Sequence, residues 1–261
     1  MALFLIKMIQ KITLIGSGNV ATNLAIHFHD SGIIINGIHS KNKDHGSVLA
    51  NRVSSISIEK IEELPKSDLI ILAVPDYEIN TLIEQLPVNS KIAYTAGSVR
   101  LKNRLDKTVG VLYPLQTFTK NKIIDRDSIP FLIESFDISF EDELEKLALI
   151  ISKSVTRVNT IQRQELHLNA TMINNFTNHL VYLSQNRLKN SKLDWKLFMP
   201  LLNETIEKLN NTSAFENQTG PARRNDMETI NNHLSLLNNK EKELYELLTS
   251  SILKTYAHEK L

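Results

Sequence analysis

The chain has 261 residues, enough for one large domain or two ordinary ones and for a core that needs no metal or disulfide support. It contains no cysteine, which excludes a disulfide framework, a thiolate metal site and a thiol nucleophile. Lys plus Arg (30) nearly balances Asp plus Glu (29), so the basic excess of a polyanion binder is missing and nucleic acid is not expected as a partner.

The opening "MALFLIKMIQ" has a short apolar run, but its lysine follows that run and no small-residue cleavage site comes after it, so no signal peptide is expected. "KITLIG" reads as a strand, followed by a helix over roughly Asn19 to Asp30 and a second strand in "GIIINGIHS". "DLIILAVP" is a continuous apolar run stopped by proline, as expected for a central parallel strand buried on both faces. "KIAYTAGS" and "VGVLYPLQ" repeat that pattern. They are followed by "IPFLIES", an acidic helix near Phe140 to Ser152, and a short strand in "SVTRV". This alternation predicts an α/β fold, a Rossmann-type doubly wound and mostly parallel sheet over residues 1–159.

Beyond about Thr160 only helical periodicity remains, which predicts an all-α C-terminal domain over residues 160–261. Helices are expected near Gln162 to Lys189, Trp195 to Leu209, Ala222 to Leu237 and Lys240 to Tyr256. "NTSAFENQTGP" is the longest aperiodic segment, and loops of that kind are often functional. The uncharged stretch Leu166 to Asn186 is long enough to span a membrane, but its Asn and His residues are too costly in hydrocarbon. No membrane association and a cytoplasmic location are therefore expected.

"LIGSGNVATNLA" sets Gly16, Gly18 and Ala21 in a G-x-G-x-x-A pattern after the first strand and at the start of a helix. The first glycine permits a tight turn, the second lets backbone approach a pyrophosphate, and the third small residue lets helix pack on strand. Gly16, Ser17, Gly18, Asn19 and Val20 are thus candidate cofactor contacts, with the helix N-terminus facing the phosphates. Where an NAD site usually has an acid at the end of the second strand, this chain has His39, Ser40 and Lys41. A hydroxyl and a cation at Ser40 and Lys41 suit a ribose 2′-phosphate, so NADP is expected, with NAD as the alternative; Lys41 also reads as an ordinary solvated lysine. Ligands of open α/β sheets lie beyond the carboxyl ends of the strands. That makes Ala73, Val74 and Pro75, together with Ala96 and Gly97, candidate walls of the same cleft, though these residues also end strands on their own account.

"LHLNATMINNFTNHLVYL" has a different pattern. At about 100° per residue, His167, Thr171, Asn174, Asn178 and Tyr182 form one stripe, with Asn175 and His179 on its flank. Leu166, Met172, Ile173, Phe176, Leu180 and Leu183 lie opposite. Neutral polar groups on a covered face need partners, which fits either a helix–helix seam or one wall of a substrate cleft. In "TGPARRND", Pro221 at the first helical position would put Arg223 and Arg224 in a first turn, against the helix dipole. Either a bound anion or Asp226 and Glu228 would answer them.

Seven stretches in order carry a resemblance: "GSGNVATNLA", "AVPD", "GVLYPLQTF", "IPFLIE", "LHLNATMINNFTNHL", "PLLNET" and "TGPARRND". The chain resembles the Rossmann-like family bearing the domain of unknown function 2520, over nearly its whole length. Its layout is similar to that of 6-phosphogluconate dehydrogenase and pyrroline-5-carboxylate reductase. The resemblance implies an NADP-binding domain and a helical domain that pairs two copies into a homodimer. Relatives of this layout place a catalytic Lys and an Asn one turn apart on the first helix of the second domain. Here that pair would be Thr171 and Asn175, with no lysine between Lys153 and Lys189. Tyr94 stands where a histidine is expected, which leaves His167 and His179 as the candidate proton carriers.

The expected function is hydride transfer between NADP and a small carbonyl or imine substrate that bears a carboxylate. His167, His179 and Asn175 are the catalytic candidates, and Asn174, Asn178, Gln116 and Arg223 the substrate-binding ones; no metal is expected. The alternative is a non-catalytic NADP-binding regulator whose assembly responds to the cofactor.

Overall fold

The computed structural model describes residues 8–257, so the opening run of residues 1–7 lies outside them. One eight-stranded sheet organises the first part of the chain. Its strands are β1 (Lys11–Ile15), β2 (Ile34–His39), β3 (Ser57–Ile58), β4 (Leu69–Leu72), β5 (Lys91–Tyr94), β6 (Thr108–Pro114), β7 (Phe131–Ser135) and β8 (Val155–Arg157). They run in the order β3-β2-β1-β4-β5-β6-β7-β8, and every neighbouring pair is parallel except β6 with β7. Helices α1 (Asn19–Asp30), α2 (Lys43–Arg52), α3 (Asp76–Gln85) and α4 (Ile138–Ile150) connect the strands. The fold is the expected doubly wound α/β sheet, and the order reverses between β1 and β4, where such sheets open a crevice.

The apolar run of β4 shows why the sheet is covered on both sides. Leu69 and Ile71 join one buried cluster, with Leu24 and Phe28 of α1 and Leu144 of α4. Ile70 and Leu72 join the other, with Ile79 and Ile83 of α3. Alternate side chains of a strand point to opposite faces, so a run without polar residues is stable only between two layers. Each such side chain removed from water contributes about 1.5–3 kcal/mol.

The connection from β6 to β7 crosses α1 and is fastened there by a buried amide. Asn23, fully buried, donates from Nδ2 to Asn19 O (3.0 Å) and Thr119 O (3.2 Å), and its Oδ1 accepts from Ile124 N (3.1 Å). A bridge between Thr119 and Lys122 tightens the turn so held.

After β8 come α5 (Thr160–Ala170), a π-helical turn over Thr171–Phe176, α6 (Thr177–Leu188), α7 (Met199–Lys208), α8 (Met227–Ser235) and α9 (Asn239–Thr255). The regular helix expected over residues 162–189 is therefore interrupted at its centre. A π turn adds a residue per turn, so stripes drawn at a constant 100° lose phase across it. The chain divides into two compact units, Met1–Val181 and Tyr182–Leu261, and the first takes in α5 and the π turn.

In the second unit, the helix expected from Ala222 begins instead at Met227, where Asp226 caps it by accepting from Thr229 N (3.0 Å). Gly220 and Asn225 hold positive φ (99° and 54°), which breaks helical geometry between them. Arg223 and Arg224 thus precede the helix instead of occupying its first turn, and its dipole gives no reason for an anion beside them. Tyr256 gathers the preceding irregular segment: it stacks on Phe215 (4.6 Å between centroids), donates to Phe215 O (2.8 Å) and lies 4.4 Å from the Arg223 guanidinium. Among the described residues no helix is long and apolar enough to cross a membrane.

Truncating Asn23 removes both sides of a part-buried contact, the acceptor for Ile124 N–H and the donor to Thr119 O. Asn23→Ala is expected to cost about 2 kcal/mol or more in urea unfolding, whereas Asn36→Ala, whose bond to Lys66 O is at the surface, should cost less than about 1 kcal/mol.

Candidate functional site

At the crevice, Gly16 adopts φ 123°, and a Cβ there would lie 2.2 Å from the Ala73 carbonyl oxygen. Only glycine allows β1 and β4 to approach in this way. Gly18 caps α1 without any side-chain bond, and a Cβ on it would meet nothing within 4 Å. Open space beside bare backbone at a helix start is the arrangement a pyrophosphate requires, so the turn fits a dinucleotide. A cavity of about 500 Å³ gathers Gly16, Ser17, Gly18, Ser40, Lys41, Ala73, Val74 and Pro75. Asn19 and Val20 occupy the first turn of α1 behind it.

Two polar contacts at the end of β2 qualify the expectation there. Ser40 Oγ lies 2.6 Å from Ser17 Oγ, tying the second strand to the turn. Lys41 is not a solitary cation: its Nζ is 2.9 Å from Glu78 of α3, and that hydrogen bond raises the lysine pKa above its ordinary value.

The second half of the site depends on α5. Asn159 and Gln162 form a reciprocal capping box that starts the helix. One residue on, Arg163 enters the interior with no exposure at all. Its Nε donates to Glu134 Oε2 (2.8 Å), one terminal nitrogen to Ala96 O (3.1 Å) and Gly97 O (2.7 Å), and the other to Val99 O (2.8 Å). Thr160 donates to the other oxygen of Glu134. Every strong group of this buried pair has a partner, the condition under which burying opposite charges is tolerable.

Residues four apart share a helix face, so Arg163 brings His167 over the same strand ends. Gly97 is required beneath it, since a Cβ at that position would lie 2.5 Å from His167 Nδ1. The His167 Nδ1 makes a 2.8 Å hydrogen bond with the Tyr113 hydroxyl at the end of β6, with the rings edge to face at 74°. Tyr113 is buried, and burial, helped by the Asp76 carboxylate, pushes its phenol pKa up, so the hydroxyl keeps its proton. Ser98 donates to Asp76 along the same rim. Tyr94, by contrast, donates to Val99 O (3.1 Å), and burial pushes its phenol pKa up.

The remaining candidates are dispersed. Asn174 donates to Asn175 Oδ1 (2.9 Å) inside the π turn, and Asn178 and His179 are exposed on α6. At 1.5 Å per residue, His179 lies about 18 Å along the helix from His167 and Asn175 about 12 Å. Gln116 is exposed and accepts from Thr117 N (2.8 Å). Arg223 belongs to the second unit, against Tyr256. Sequence reasoning missed Arg163 and Glu134, and took Tyr113 only as part of a strand end. The available signal was a single arginine, four residues before a histidine, on a helix that is otherwise uncharged beyond Glu165.

Residues 129–252 match the family model of the domain of unknown function 2520, and residues 11–93 match that of NADP oxidoreductases described as coenzyme F420-dependent. A solved structure from Bacteroides fragilis, provisionally named as an NADP oxidoreductase, is 33% identical over 95% of this chain and 99% of that one, with a TM-score of 0.88. A Thermotoga maritima protein is 19% identical, covering 94% of this chain and 98% of that one, at a TM-score of 0.69. The reductive aminase of Aspergillus terreus, solved with NADPH and ethyl levulinate, is 13% identical over 95% of this chain and 93% of that one, at 0.66. The last two show likeness of fold. A search of curated protein sequences returns no match.

Arg163→Met leaves Glu134 buried and charged, removes the side-chain donor to the Ala96 and Gly97 carbonyls, and leaves the Val99 carbonyl to Tyr94 alone. It is expected to cost about 3–5 kcal/mol in denaturant unfolding, with no recovery in Arg163→Lys, which lacks the planar fork.

Proposed function

The chain belongs to the Rossmann-like family of NADP oxidoreductases that carries the domain of unknown function 2520, and from that premise we propose that it reduces a small imine or carbonyl compound bearing a carboxylate. A nicotinamide dinucleotide, when bound, supplies the hydride. Gly16, Ser17, Gly18 and the first turn of α1 would hold its pyrophosphate, and Ser40 and Lys41 its adenosine ribose. NADP is the expected form.

The observation that carries the reading is the hydrogen bond between Tyr113 and His167 on the bare backbone of Gly97. In its protonated form the His167 ring has hydrogens on both nitrogens. Nδ1–H then donates to the Tyr113 oxygen, and the Nε2 proton is the one that can pass to a substrate nitrogen or oxygen. Loss of that proton leaves a neutral imidazole still held by the same tyrosine. The pair therefore orients the ring in both states, and no lysine is needed on this helix. Imine chemistry is favoured by the fold shared with the Aspergillus terreus reductive aminase.

We also propose a homodimer formed through the helical part. Ile173 (75% exposed), Phe176 (58%), Leu168 (54%) and Met172 (52%) form an apolar surface that carries no charge to keep it in water. A second copy of the same neutral surface is the occupant that requires no complementary charge.

Single-turnover oxidation of NADPH with a panel of cyclic imines and keto acids tests the reaction. His167→Asn should slow consumption about 100-fold and Tyr113→Phe by a smaller factor, with dinucleotide affinity unchanged. NADPH binding with no consumption across the panel would overturn the catalytic reading in favour of a regulator. For assembly, light scattering should report a dimer for the native chain and a monomer for the Ile173→Glu, Phe176→Glu double variant; a native monomer would remove the proposal.

A further inference from the structure

A carboxylate on the rim of the Tyr113–His167 pair has no cation of its own. Asp76 is the first residue of α3, directly beyond the end of β4, and it is exposed. It forms no ion pair among the described residues, whereas Glu78, two residues on, is matched by Lys41. Nor does it serve its own helix. α3 begins after Pro75 with no side-chain cap bond, and the hydrogen bond that Asp76 accepts comes instead from the Ser98 hydroxyl, across the strand ends.

Ser98 is held in turn by the helix that carries the histidine. Gln164 Nε2 donates from α5 to Ser98 O (2.8 Å), and Gly97, the residue before it, lies under the His167 ring. Asp76 and His167 are therefore fixed to adjacent points of one short segment. The charge reaches Tyr113 as well, whose phenol pKa is raised by burial first and by Asp76 second. Arg163 offers no compensation, because its donors are directed to Glu134 and to the carbonyls of residues 96, 97 and 99.

The sign of this charge separates the two reactions open to the site. Hydride addition to a carbonyl gathers negative charge on oxygen, which a nearby cation favours and a nearby carboxylate opposes. α5 and the π turn hold no lysine, and the adjacent rim holds an unpaired acid. Hydride addition to a protonated imine starts from a cation and ends in a neutral amine. An unpaired carboxylate favours that cation when it binds.

We propose that Asp76, positioned by Ser98, is a cation subsite that captures the protonated nitrogen of an imine and selects imines over carbonyl compounds. The subsite rests on the reductase reading above and narrows its substrate class. His167 passes its Nε2 proton to the imine nitrogen, and the resulting iminium pairs with Asp76. Hydride then adds to the carbon, and the π electrons of the C=N bond become the lone pair of the amine. One proton and one hydride, with oxidation of the dinucleotide, balance each C=N bond reduced, and His167 regains its proton from water.

Equilibrium binding followed by NMR in the presence of NADP⁺ reads the subsite without turnover. The probes are protonated piperidine and tetrahydropyran, the same ring with a neutral oxygen in place of the charged nitrogen. The native chain should hold piperidine about tenfold more tightly than tetrahydropyran. Asp76→Asn should weaken piperidine about tenfold and Ser98→Ala about threefold, each moving tetrahydropyran less than about twofold, and Asp76→Glu should recover part of the loss. A native chain that binds both rings alike, or an Asp76→Asn variant that weakens both equally, would overturn the subsite. Single-turnover consumption of NADPH with keto acids and not with cyclic imines would also overturn it, while sparing the reductase. Charge-selective binding that depends on Asp76, with no consumption of any substrate, would support the subsite and remove the reductase reading.

Discussion

The guanidinium of Arg163 is the fixed point of the site. It is a charge placed fully inside the protein, and its cost is offset only because Glu134 and three carbonyls of residues 96–99 surround it. Those partners come from β7 and from the segment after β5, while the arginine comes from α5. One side chain therefore locks two strand ends and a helix into register. His167, Gly97 and Tyr113 inherit their positions from that lock, because the histidine follows the arginine by one helical turn and the glycine carbonyl is itself one of the acceptors. Low dielectric makes the arrangement nearly all-or-none: fully satisfied it is rigid, and with one partner missing it is strongly unfavourable.

Much of the fold was legible because local chemistry and tertiary role coincide. "DLIILAVP" has an unbroken apolar run, so it could only be central, and β4 lies between both apolar clusters. "GSGNVATNLA" needs its first glycine for a reason internal to the turn, and Gly16 holds the positive φ and the close approach to Ala73 that a tight turn demands. The two-residue β3 was not legible, since a strand that short has no period to detect. The start of α8 was misread because Pro221 resembles a first helical residue, while Asp226 offers a stronger cap and Asn225 accepts positive φ.

Of the site, residue types were readable and partnerships were not. His167 stood out as a titratable group on a neutral helix, but its partner Tyr113 lies 54 residues away and looked like part of a strand terminus. Lys41 was correctly seen as a cation at the end of β2, yet its neutralisation by Glu78 depends on how α3 packs beside the cleft. Arg163 and Glu134 each resemble a surface residue in sequence. Only the fold brings them together, at 29 residues' separation, so no periodicity could announce them.

The π turn at Thr171–Phe176 gives this helix two independent phases. In an unbroken α-helix, the direction of every side chain after His167 would be set by that of His167 itself. An extra residue in one turn rotates the later side chains by roughly a quarter of a circle and leaves the earlier ones untouched. The histidine end can thus be matched to strand ends, and the apolar residues beyond it to a different neighbour, without compromise between them. A single deletion inside the turn would make one geometry govern both ends, and the helix would have to choose which of its two environments to satisfy.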